Sequence, residues 1–205
     1  ELWPFDSLPQ LLNPRGGYLQ NANDPYHYTN LNAVLDSTRW PDYFPRPALG
    51  LRSQLSLRLV TSRRRVSLED VVRLKHDYRM LLGERVRNDL VAAVRAVNPQ
   101  GEVADAIGLI ERWDGTVAPD SRGGTLFEVW FRRYVASDST NRGSSGTRWA
   151  RAFTHPWTPA DPVATPRGLA NPARAAATFA AAIDQMKRDF GRWDVAWGEV
   201  HRLRI

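Results

Sequence analysis

Cysteine is absent from these 205 residues. That excludes a disulfide scaffold, a thiolate zinc site and a cysteine nucleophile, while leaving the redox compartment open. No hydrophobic run approaches the roughly 20 residues needed to cross a bilayer as a helix, so no membrane partner is expected. The HExxH, P-loop, GxSxG and GxGxxG patterns are all missing. Zincins, NTPases, elbow-type serine hydrolases and dinucleotide enzymes therefore lose their usual warrant. The four histidines, 27, 76, 155 and 201, are scattered and form no ligand pair, so no metal is expected from them. Lysine is limited to Lys75 and Lys187, and arginine supplies the other 26 of 28 basic residues. The net charge of +6 raises the question of nucleic acid, but only Ser62 to Ser67, SRRRVS, is a basic cluster. Elsewhere arginines alternate with acids, which excludes a phosphate-tracking stripe and a nucleic-acid partner. No initiator methionine or export signal precedes Glu1, as in a processed piece, so location is not legible.

The composition, 42% hydrophobic and 24% charged, describes an ordinary globular chain able to bury a core as one domain. Residues 1–17, with three prolines and two glycines, read as an irregular lead-in to a strand at 18–22. From Tyr26 to Leu51 the mix of aromatics and prolines favours a packed loop with a short helix around Leu31 to Asp36. Leu51, Leu55 and Leu59 lie at helical spacing. Ser67 before Leu68-Glu69-Asp70 is a helix cap, and that helix is expected to run on to an interruption near Gly83 before continuing to Asn98. Further helices are expected over Gly101 to Trp113, over the heavily apolar Thr125 to Val135, and from Asn171 and Pro172 to Gly191. The polar stretch 137–147 reads as a surface loop. The tail from Trp193 is open between helix and strand. The expected fold class is mainly α with minor β.

Chemistry concentrates in GYLQNAND, residues 17–24. Asn21 and Asn23 straddle one residue, so on an extended chain their side chains share a face. Such a pair either shapes a turn or aims two amides at one place. His76 and Asp77 are adjacent on a predicted helix and do not face each other.

The stretch NPRGGYLQNANDP, residues 13–25, resembles the strand-and-loop signature of the penicillin acylase family of N-terminal nucleophile hydrolases. The likeness continues through Arg52 and RRRVSLEDVVRLKHD, through LIERWDGTVAPDSRGGTLFEVW at 109–130, and through WGEVHRLR at 197–204. It follows the family's order along almost the whole chain.

The resemblance implies hydrolysis of the amide of a small N-acyl substrate by a chain-terminal serine whose own α-amino group is the base. It also implies a precursor that cleaves itself and works in the periplasm or outside the cell, in the formation or breakdown of antibiotics and related amides. It assigns Asn23 as an oxyanion-hole amide and Arg52 as a support beside the active site. Trp40, Tyr43 and Phe44 become candidates for the substrate wall. No cofactor is expected, although Asp42 corresponds in approximate position to a calcium-binding acid of some members. No residue here matches the terminal serine. The whole of 1–205 is thus expected to be one internal segment of the large subunit of an αββα enzyme. Residues 1–48 would supply a strand and packed loop near the active site, residues 49–205 a mainly helical region, and the other acylase segments would be its partners. The segment alone is expected to be inactive. The other reading, from a different class, is a non-catalytic helical binding or interaction module on the same scaffold; the plain reading of Arg52 is a structural ion pair with a carboxylate.

Overall fold

The computed structural model describes residues 2–138 and 145–202. The protein is mainly helical with a minor strand component, and its contacts divide it into two compact units. The first is Glu1–His76 with Thr158–Ala164, the second Asp77–Trp157 with Thr165–Ile205.

The first unit is dominated by turns. Three 3-10 turns, Phe5–Ser7, Tyr26–Tyr28 and Ser37–Arg39, precede helices α1 (Leu51–Thr61) and α2 (Leu68–Lys75). The strand expected at 18–22 is not formed. A strand exists only through its ladder, and the one backbone bond at residues 18–22 joins Gln20 N to Thr29 O (2.9 Å). No helix forms around Leu31 to Asp36 either. Asn30 Oδ1 captures the amide of Asn32 (2.7 Å) and Asp36 Oδ1 that of Thr38 (2.9 Å), and such local side-chain bonds compete with helical ones. In α1 the leucines at 51, 55 and 59 are only half-buried, while Ser53, Gln54 and Leu57 face inward. Helix α2 has the expected cap: Ser67 Oγ accepts from Asp70 N (3.2 Å), and Asp70 Oδ2 accepts from Ser67 N (3.1 Å).

The second unit holds α3 (Leu81–Arg95), α4 (Gly101–Arg112), α5 (Gly123–Ala136), α6 (Ser145–Arg151), β1 (Phe153–His155), β2 (Arg167–Leu169), α7 (Pro172–Phe190) and α8 (Trp197–Val200). The break expected near Gly83 falls instead at residues 76–80, and Gly83 lies inside α3. Met80 N donates to Gly115 O (2.7 Å) and Val117 N to Tyr78 O (2.8 Å), so a distant segment claims this backbone. Gly83 is glycine for a packing reason: a Cβ there would stand 2.9 Å from the Trp113 ring.

Helices α5 and α7 pack together, and α3 packs on both α4 and α7. Between them lie Leu90, Ile107, Ile110, Phe127, Trp130, Tyr134, Phe179, Ile183 and Met186. The start of α7 is as expected, with Asn171 Oδ1 accepting from Arg174 N (2.9 Å) and Pro172 in the first turn; Gly191 ends it at φ 78°. The minor strand component is an antiparallel pair, Phe153 opposite Leu169 and His155 opposite Arg167, in a proline-punctuated stretch that carries no strand signal. The tail resolves to the single turn of α8, and residues 203–205 lie outside the described residues. Of the polar stretch 137–147, residues 139–144 lie outside them too, and α6 already begins at Ser145.

Candidate functional site

The loop Asn21 to Asp24 in the first unit is shaped by its own side chains. Asn21 Oδ1 accepts from Asn23 N (2.7 Å), and Asn21 Nδ2 donates to Asp24 O (2.9 Å). One carboxamide thus satisfies two main-chain groups, the turn-forming use of asparagine. Between these bonds Asn23 adopts a left-handed backbone, φ 73°, which asparagine tolerates better than most residues.

Helix α1 supplies the second anchor. Gly50 precedes it in extended conformation, and a Cβ on Gly50 would lie 3.4 Å from Asp24 Oδ1. The Asp24 carboxylate therefore sits at the helix start, where the dipole favours negative charge. Arg52, in the first turn, reaches back across the loop. Its Nη2 donates to Ala22 O and to Asn23 Oδ1, the latter at 2.9 Å.

That last contact orients the Asn23 amide. A guanidinium only donates, so the amide oxygen must face Arg52 and the NH2 group must face away. Nδ2 has no partner among the described residues, and Asn23 is exposed. The result is a polarised amide donor beside a fixed positive charge, presented outward. Such a group suits an oxygen that becomes negative during a reaction. The structure brings together Asn23 and Arg52, two residues 29 apart in sequence.

The other sequence candidates behave differently. Trp40 Nε1 donates to Ser7 O (3.0 Å), and its ring meets Tyr26 edge-on with centroids 6.0 Å apart. It borders a cavity of about 300 Å³ that is also lined by Ser7, Leu35 and Arg39. Tyr43 is 73% exposed and accepts from Trp3 Nε1 (2.6 Å); Phe44 packs against Trp3 and Tyr43, each with centroids 5.3 Å away. All three aromatics thus hold the N-terminal arm. Asp42 is solvent-exposed and paired with Arg46 (3.0 Å). Among the described residues no three His, Asp or Glu side chains are grouped as metal ligands. His76, the last residue of the first unit, caps α2, and its backbone amide donates to Val72 O and Arg73 O.

Sequence reasoning passed over His27 and Asn30. His27 is 1% exposed, stacks on Tyr26 with centroids 4.5 Å apart, and leaves both ring nitrogens without a partner among the described residues. Burial lowers its pKa, so the ring is held neutral. Asn30 is fully buried and donates to Arg15 O (2.9 Å) and Tyr18 O (2.8 Å). It begins a second N-x-N pair, Asn30 and Asn32, with the same 2.7 Å side-chain-to-amide bond as Asn21 and Asn23. The repeated spacing was the available signal, and it shows that N-x-N alone marks a turn lock. Arg52 and the left-handed backbone distinguish the first pair from the second.

The penicillin amidase family model matches residues 1–205. The chain is similar to the acyl-homoserine lactone acylase PvdQ of Pseudomonas syringae pv. syringae, 27% identical over 209 residues, covering 97% of this chain and 25% of that protein. It is similar also to the acyl-homoserine lactone acylase PvdQ of Pseudomonas putida, 27% identical over 172 residues, covering 82% of this chain and 20% of that protein. The chain thus spans a fifth to a quarter of the length of these relatives.

Proposed function

Because this chain belongs to the penicillin amidase family, we propose that it is an internal part of an acylase that hydrolyses the amide bond of a small N-acyl substrate. Asn23 is the side-chain donor of its oxyanion hole. The carrying observation is the Arg52 to Asn23 Oδ1 bond of 2.9 Å, which leaves Nδ2 turned outward without a partner among the described residues.

The chemistry follows from the bond being broken. A hydroxyl of an N-terminal residue outside these 205 attacks the acyl carbonyl, and its proton passes to the α-amino group of that same residue. The carbonyl oxygen becomes an oxyanion, and Asn23 Nδ2 donates to it. Collapse expels the amine with the proton, and water then releases the carboxylic acid from the acyl-enzyme. Arg52 contributes by holding the amide oxygen, so the donor needs no reorganisation when charge appears. In the same reading the precursor cleaves itself to free the nucleophile, and the enzyme works in the periplasm or outside the cell. The remaining acylase segments are its partners, and Leu2, Phe5, Leu12 and Leu19, each at least 60% exposed, are apolar surface for them to cover.

The names of the relatives make an N-acyl-homoserine lactone the first substrate to try. The enzyme that carries this chain should release homoserine lactone and fatty acid, while the isolated 205 residues should release neither. Turnover by the isolated chain would contradict the reading, and absence of turnover by the whole protein across a series of acyl amides would favour the binding-module alternative.

A further inference from the structure

Asn21 is a plain turn former by residue type, but its position gives it leverage on the neighbouring site. Its two bonds, to Asn23 N (2.7 Å) and Asp24 O (2.9 Å), close the loop on either side of the Asn23 side chain. The direction in which that side chain leaves the backbone depends on φ of residue 23, which is 73°. From that direction Oδ1 meets Arg52 at 2.9 Å while Nδ2 turns outward.

The second N-x-N pair serves as a control within the same unit. Asn30 makes the same bond to Asn32 N (2.7 Å), yet residue 32 is not left-handed, and its Nδ2 turns back to Arg15 O at 3.5 Å. A single side-chain-to-amide bond therefore does not impose the conformation. The Asn21 bond to Asp24 O and the Arg52 bond to Ala22 O complete the clamp at 21–24.

We infer that Asn21 is a positioning residue for the acylase reaction, acting on rate through Asn23 by fixing the direction of its amide. This rests on the reading of Asn23 as oxyanion donor. Asn21 itself touches no reacting atom, so its loss should lower kcat and leave KM nearly unchanged.

The test is a double-mutant cycle in the mature enzyme that carries this chain, using an N-acyl-homoserine lactone and following kcat and KM separately. Asn23→Ala should cost about 10²- to 10³-fold in kcat, the range for losing one oxyanion donor. Asn21→Ala should cost about ten- to a hundredfold, the scale of a misplaced catalytic group. In the Asn23→Ala background, removing Asn21 should change kcat by less than about twofold, since the two act as one unit. Asn21→Ser should recover part of the loss, because a hydroxyl forms the same turn more weakly. If Asn21→Ala does not accumulate as folded enzyme, Asn21→Ser takes its place in the cycle, with a smaller loss that must again vanish beside Asn23→Ala. Additive losses would overturn the inference. So would wild-type kcat for Asn21→Ala beside an impaired Asn23→Ala, with the reading of Asn23 left standing. Wild-type kcat for Asn23→Ala would remove that reading and this inference together.

Discussion

Rings and aliphatic chains fill the second unit, where Trp113, Phe127, Trp130, Phe131, Tyr134 and Phe153 pack on one another and on α7. The first unit buries only Tyr28, Leu49 and Leu57 among its described apolar side chains, and buries beside them Gln20, His27, Asn30, Ser53, Gln54 and Asp70. Apolar burial is non-directional and proportional to area. Hydrogen bonds from buried amides are directional and fix where individual atoms lie. The second unit is therefore a scaffold that tolerates side-chain exchange if volume is kept. The first is a set of pinned loops whose geometry depends on single atoms, and the candidate site lies there. Its loops trade apolar packing for defined directions, as functional loops commonly do.

Substitutions chosen from each unit should separate these two kinds of order. The largest effect is expected for Trp130→Ala, which removes a fully buried ring whose Nε1 donates to Ala175 O (3.1 Å). It should cost about 3–5 kcal/mol in urea denaturation, with faster hydrogen exchange in α5 and α7. Asn30→Ala strips the donors from Arg15 O and Tyr18 O and should cost about 1–3 kcal/mol, seen as increased exchange over residues 15–35. If Asn30→Ala instead left exchange there unchanged, the view that amides order the first unit would fail. Ser67→Ala removes one half of the α2 capping box and should cost about 1 kcal/mol, with fraying confined to α2.

The smallest effect is a pH dependence specific to the first unit. Burial lowers the pKa of His27, so the unfolded chain binds its proton more readily than the fold does. Its contribution is fully present above the ordinary imidazole value of about 6.5 and declines as pH falls through that value toward the depressed one. Wild-type protein should thus lose stability as pH falls below about 6.5, and His27→Gln, which cannot titrate, should lose less.

The same contrast explains what was legible in the sequence. Helix α7 could be read from Asn171, Pro172 and Gly191, and α2 from Ser67 with Asp70, because caps are local chemistry. The apolar spacing of α5 foretold a buried face and delivered it. The gap between α2 and α3 was misplaced because its cause, the bonds to Gly115 and Val117, lies some forty residues away. The β1–β2 pair was missed because three-residue strands offer no alternation to read. In the first unit, Asn21 as a turn former was legible from residue type. The family likeness supplied Asn23 and Arg52, but their bond joins a loop to a helix across 29 residues, and no local pattern encodes it. The left-handed backbone of Asn23 was equally hidden, since the identical spacing at Asn30 and Asn32 lacks it.

The central claim is that the Asn23 amide meets the negative oxygen of the tetrahedral intermediate. The most direct measurement is a crystal structure of the mature enzyme bearing a boronate or phosphonate analogue of that intermediate. The account predicts Asn23 Nδ2 at about 2.7–3.1 Å from the anionic oxygen, the range for an oxyanion donor, with Oδ1 still held by Arg52. An analogue oxygen bound by other donors, with the Asn23 amide directed into solvent, would contradict it.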